Sequence, residues 1–118
     1  LKADIKRCTV ELLCALGSSS EEVAESLRKL NIKGDIGSYY YNPLSFYLTS
    51  KGVDRIVRSG ERYCNVAVVH SDNDIAIKFD DSKSYHHYRL DIYPRLIPVR
   101  RFLSDFHHRI YINLIGGR

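Results

Sequence analysis

The chain has 118 residues, 44% of them hydrophobic and 27% charged, with seven glycines, three prolines, three cysteines and a formal net charge of +4. These values exclude a collagen-like fibre, a disordered tail and a disulfide scaffold. A chain of this size buries about two-thirds of the surface its extended form exposes, enough for one core and too little for two. One domain over residues 1–118 is the expected organisation.

Ile5, Cys8 and Leu12 recur at helical spacing between Asp4 as N-cap and Gly17 as C′ glycine, which predicts a first helix. A second helix is expected from the Ser18-Ser19-Ser20 run. Ser19 and Glu22 stand at capping-box spacing, Val23, Leu27 and Leu30 form an apolar stripe, and Gly34 is the expected stop. The short serine turn between the two predicts an antiparallel helical pair whose apolar faces cover a sheet. Asp35 to Tyr41 reads as a loop around Gly37. Asn42-Pro43 then supplies an N-cap and an N1 proline for a third helix, with Tyr41 placed to pack on Phe46 as a hydrophobic staple. Leu44, Tyr47 and Leu48 are its apolar side, and Gly52 its end.

Beyond Val53 the period changes. Val53 to Val57 is expected as a strand. Tyr63 to His70 and Ile75 to Phe79 flank the turn residues Ser71-Asp72-Asn73-Asp74 and predict a β-hairpin. Tyr88, Leu90 and Ile92 alternate with His87, Arg89 and Asp91, the pattern of a half-buried strand. Pro94 and Pro98 bracket a turn, Val99, Phe102, Leu103 and Phe106 mark an amphipathic helix, and Ile110, Ile112 and Leu114 alternate as a terminal extended segment. The fold class expected is α+β: N-terminal helices packed on a small, mainly antiparallel sheet, with a C-terminal amphipathic helix.

Charge is uneven. Residues 1–82 hold 11 Lys or Arg against 12 Asp or Glu, whereas residues 83–118 hold 7 against 2. Arg89, Arg95, Arg100, Arg101 and Arg109, with Tyr85, Tyr88, Tyr93 and Tyr111, are the residues for a basic, aromatic-bearing face that contacts phosphates and stacks on bases. The alternative is a solvated helix face at Arg100 and Arg101, with Arg109 complementing the dipole at the helix end. A winged-helix arrangement fits poorly, because a long loop separates the second and third helices and Asn42 to Ser50 carries no Arg or Lys.

Enzymatic and metal chemistry finds little support. His86-His87 and His107-His108 are adjacent pairs, which point to different sides of a strand or helix, and no HxH, HxxxH or HExxH spacing exists. Asp72, Asp74, Asp80 and Asp81 with Lys83 resemble a nuclease cluster, yet they fall in turns, where Asp is a turn former. There is no GxSxG or P-loop, and no cofactor or metal is expected. Cys8, Cys14 and Cys64 form no CxxC, and reduced thiols are expected.

The most unusual stretch is Gly34-Asp35-Ile36-Gly37-Ser38-Tyr39-Tyr40-Tyr41-Asn42-Pro43. Three consecutive tyrosines cannot all face one core, so at least one is expected at the surface. Tyr39, Tyr40, Tyr41 and Asn42 are therefore the candidate binding residues, with the adjacent helix N-terminus as an anion site. The alternative packs Tyr39 and Tyr41 under the loop and leaves Tyr40 solvated. Leu30-Asn31-Ile32-Lys33-Gly34, then Asn42-Pro43-Leu44-Ser45-Phe46-Tyr47-Leu48, then Pro98, Val99, Phe102 and Phe106 resemble a pattern in small uncharacterised bacterial proteins. That pattern reads Leu-Gly-Ile-x-Gly, Cys-Pro-Leu-Ala-x-Tyr-Leu, strands, and a Pro-led helix with Val-x-x-Phe. The resemblance spans residues 18 to 110 and implies the domain outline and no activity. Asn42 replaces its cysteine, which removes thiol chemistry at that helix start.

A small, cytoplasmic, non-catalytic binding or protein-interaction module is the expected function, with a protein partner or a second copy in a homodimer. A nucleic-acid-associated regulator using the basic C-terminal third is the alternative. No membrane partner is expected, since the longest uncharged stretch, Ile36 to Ser50, is too short and too polar to span a bilayer. Leu1 to Thr9 lacks a signal-peptide apolar region. The absence of any Met, initiator included, leads to the expectation of processing or trimming, with sequence upstream of Leu1.

Overall fold

A computed structural model describes residues 2–37, 41–53, 65–70, 75–80, 85–89 and 94–116. Its helices are α1 (Lys2–Cys14), α2 (Ser20–Lys29), α3 (Pro43–Ser50) and α4 (Ile97–His107), and its strands are β1 (Asn65–His70), β2 (Ile75–Asp80) and β3 (Tyr85–Arg89). The strands form an antiparallel meander in the order β1-β2-β3. The fold is α+β, as the sequence predicts, with the amphipathic C-terminal helix in place.

Two apolar stripes overlap on α1, and burial goes to the one the spacing argument did not choose. Cys8 and Leu12 are half-buried, while Val10, Leu13 and Leu16 enter the core. That stripe continues through Leu16, whose carbonyl accepts the Ser26 hydroxyl of α2 at 2.6 Å. Gly17 does not cap α1, which ends at Cys14. A Cβ at Gly17 would lie 2.5 Å from the Glu22 Cβ, so this glycine makes room for the first turn of α2.

Ser19 caps α2 as its spacing predicts, its hydroxyl accepting the Glu22 N–H at 3.1 Å. The Glu22 carboxylate reaches back one residue further than a capping box requires. It accepts from the Ser18 N–H at 2.8 Å and the Ser18 hydroxyl at 2.9 Å, and these bonds hold its pKa below the usual carboxylate range. Val23 and Leu27 are buried, with Ala24 beside them. Leu30, expected in that stripe, is exposed, because the chain leaves the helix there. The stop is Asn31 rather than Gly34: Asn31 adopts φ 58°, its N–H donates to Arg28 O at 3.0 Å, and the Ile32 N–H donates to Leu27 O at 3.0 Å. This is a Schellman motif with Asn in the left-handed position. α4 ends the same way: Arg109 adopts φ 63°, with Arg109 N–H to Phe106 O and Ile110 N–H to Asp105 O, both at 3.0 Å.

In the sheet, Val66, Val68, Ile75 and Ile77 are buried and share one core with the helices. The register brings Val68 opposite Ile77, and alternation puts Val66, Val68, Ile75 and Ile77 on one face; Ala67 and Ala76, which alternate with them, are buried as well. Val53 is buried and has helical backbone, so the strand expected from Val53 does not begin there; residues 54–57 lie outside the described segments. Val99, Phe102, Leu103 and Phe106 are all fully buried. Phe102 stacks on Phe106 and on Tyr111, with ring centroids 6.0 and 5.4 Å away.

The C-terminal segment is not an extended strand. Ile112–Leu114 is a 3₁₀ turn, so burial follows a period of three: Tyr111 and Leu114 enter the core, and Ile110 and Ile112 are exposed. Ile115 then forms a parallel bridge to Gly34.

Candidate functional site

The tyrosine-bearing loop rises from a base made by backbone groups. The Gly34 N–H donates to Leu114 O at 2.9 Å, and its carbonyl accepts from the Gly116 N–H at 3.1 Å. The Asp35 N–H donates to Tyr41 O at 2.7 Å, closing the loop one residue further on. Only glycine fits at 34. A Cβ there would stand 2.5 Å from Tyr41 O, 2.6 Å from Pro43 N and 2.7 Å from the Asn42 carbonyl carbon.

Tyr41 is exposed and packs on Phe46 with ring centroids 6.0 Å apart, tilted at 38°. This is the staple expected from its place just before the N-cap. Tyr39 and Tyr40 lie outside the described residues.

Asn42 is buried, and its side chain serves the fold from both ends. Its Oδ1 accepts from the Ser45 N–H at 2.9 Å and from the Ser45 hydroxyl at 3.2 Å, which caps α3. Its Nδ2 donates to Val68 O of β1 at 2.9 Å. The Val68 N–H donates to Ser45 Oγ, also at 2.9 Å. The three groups form a closed ring of hydrogen bonds in which every donor meets an acceptor. Asn42 thus anchors the exit of the loop to the sheet. At the α3 N-terminus, expected as an anion site, Pro43 has no N–H and that of Ser45 is taken by Asn42.

The five arginines are distributed over several elements. Arg89 ends β3, Arg95 lies in the 3₁₀ turn Pro94–Leu96, Arg100 and Arg101 lie on α4, and Arg109 follows its end. All but the half-buried Arg100 are exposed.

Among the described residues no group of three or more His, Cys, Asp or Glu converges to hold a metal. His108 Nδ1 lies 2.7 Å from Ser104 O within the last turn of α4. Burial, and then the neighbouring His108, push the His107 pKa down. Of the proposed nuclease carboxylates, Asp72, Asp74 and Asp81 lie outside the described residues. Cys8 and Cys14 are free thiols.

One polar cluster carried no local sequence signal. The Ser20 hydroxyl donates to Asp105 Oδ2 at 2.7 Å and lies 2.6 Å from the Tyr111 hydroxyl, which therefore donates to it. The cluster ties the start of α2 to α4 and to the C-terminal segment. These partners are separated by 85 and 91 residues, too far for any motif. Its hydroxyls and carboxylate satisfy one another, so its chemistry is that of a buried tether.

Fold and site together define an α+β fold in which helices share one core with a β-meander and Asp35 and Tyr41 join the two ends of the loop that precedes α3. No family model, no curated protein and no solved structure matches the chain. Among the described residues no helix is long and apolar enough to cross a membrane.

Proposed function

We propose that this chain is a small, non-catalytic protein-interaction module that works in the cytoplasm, and that its contact surface is the Tyr39 to Tyr41 loop with Asn42 as the buried anchor. The observation that carries this reading is the base of the loop, closed by the Asp35 to Tyr41 hydrogen bond and pinned to β1 through Asn42. A loop whose ends are fixed loses little further freedom on binding, so more of its contact energy remains as affinity. Tyrosine suits such a surface, because it presents a large amphipathic ring with few torsions to immobilise. A second copy of the chain is the proposed partner, in a two-fold, self-complementary contact to which each copy contributes its loop.

The motive for self-association rests on the aromatic loop alone. The terminal segment, expected as extended, is a 3₁₀ turn that closes on Gly34. Tyr40→Asp is expected to convert the dimer to monomer with an unchanged far-UV circular dichroism spectrum. Sedimentation equilibrium checks this, and a variant that keeps the mass of the parent dimer would remove Tyr40 from the interface.

A second reading, a nucleic-acid-associated regulator, is supported by the exposure of Arg89, Arg95, Arg101 and Arg109. Affinity for short DNA and RNA measured across salt separates the two. Binding that weakens with rising salt and is lost on joint replacement of Arg100 and Arg101 by glutamate supports the regulator. No binding at low salt removes it.

A further inference from the structure

We infer that Asn42 and Ser45 form a side-chain plug that closes the β1 edge of the sheet against strand addition by a second copy of this chain. Among the described strands β1 stands at the edge, in the order β1-β2-β3. In an antiparallel ladder a residue's N–H and C=O point together, either toward the paired strand or away from it. Both groups of Val68 are engaged by α3: its N–H donates to Ser45 Oγ and its carbonyl accepts from Asn42 Nδ2, each at 2.9 Å. A primary amide and a hydroxyl therefore occupy the donor and acceptor positions, respectively, that the backbone of an added strand would take. The ring closes on itself through the Ser45 hydroxyl and Asn42 Oδ1 at 3.2 Å, and both side chains are buried.

The edge needs such protection because of what β1 contains. Val66-Ala67-Val68-Val69 is an uncharged, β-branched run without proline, a composition that pairs readily with a copy of itself when its edge is free. The charged residues and prolines that commonly blunt edge strands are absent from Asn65–His70. Here the protection comes from a helix start far away in sequence, and the N-cap residue supplies it. The plug shares Asn42 with the loop's anchor, but the contact it blocks is made by β1 and not by the loop.

Asn42→Asp keeps an oxygen to cap α3 but replaces the Nδ2 donor with an acceptor facing Val68 O; Ser45→Ala removes the acceptor for the Val68 N–H. Both changes are made in the Tyr40→Asp background, so that self-association through the loop does not contribute. Light scattering is expected to show mass growing with concentration for each variant and not for the Tyr40→Asp parent, with a rise in β-sheet circular dichroism. Folded variants whose mass stays at that of the parent overturn the plug. Hydrogen exchange at Val68 in the unmodified protein decides the matter if the variants do not fold. The plug requires the Val68 amide to exchange on the order of 100-fold more slowly than an unprotected amide, and exchange at the unprotected rate overturns it.

Discussion

Phe102→Ala is expected to lower the unfolding free energy by about 3–5 kcal/mol, the range for deleting a large buried aromatic and leaving a cavity. Phe102 is fully buried at the centre of α4, between the Phe106 and Tyr111 rings. Its removal also loosens Tyr111, whose hydroxyl belongs to the tether with Ser20 and Asp105. The loss therefore spreads from α4 to the start of α2 and to the C-terminal segment. A urea titration measures it as a lower midpoint at unchanged slope, the signature of lost stability without a change in the surface exposed on unfolding. An unchanged midpoint would mean that this helix face does not sit in the core.

Gly34→Ala is expected to cost about 1–3 kcal/mol, the usual range for forcing extra volume into a packed site. The three atoms a Cβ would meet, all within 2.7 Å, belong to the backbone of residues 41 to 43 and cannot rotate aside. Relief requires the loop exit to move away from the C-terminal segment, which opens the Asp35 to Tyr41 closure and pulls on the Asn42 ring. The variant is therefore expected to lose self-association along with stability. Denaturation and sedimentation of the same sample check both effects, and a variant with parent stability and parent mass would show that the close approach at Gly34 does not hold the loop.

Parts of this structure were legible in the sequence because their causes are local. Ser19 before Glu22, Asn42-Pro43 before Leu44, and Tyr41 four places after Gly37 and five before Phe46 each act within one turn of the helix they start or flank. The stripe Val99, Phe102, Leu103, Phe106 read correctly because α4 has one apolar face and a polar remainder. α1 offers two overlapping stripes, and packing into the common core, not spacing, selects Val10, Leu13 and Leu16. Helix α2 was given the wrong stop because glycine is the usual left-handed residue, whereas here Asn31 takes that conformation. Asparagine is the residue that tolerates that conformation next best.

At the site, the Tyr41–Phe46 staple and the Asn42 cap are legible in the sequence, and what holds them is not. Gly34 has its role because the chain returns to it from Leu114 and Gly116, some 80 positions later. Asn42 was read as a cap and as a contact residue; its second bond, to Val68, depends on where β1 lies relative to α3. Arg109 was read as a partner of the helix dipole, and its left-handed backbone is set by the same turn that buries Tyr111. Contacts of this kind join residues distant in sequence and leave no periodicity or spacing behind.

The claim that the tyrosine loop makes this chain self-associate is tested most directly by light scattering of the unmodified protein over a wide concentration range. The account predicts a mass of twice 13.6 kDa at high concentration, falling toward 13.6 kDa on dilution. A mass of 13.6 kDa at every concentration would contradict it.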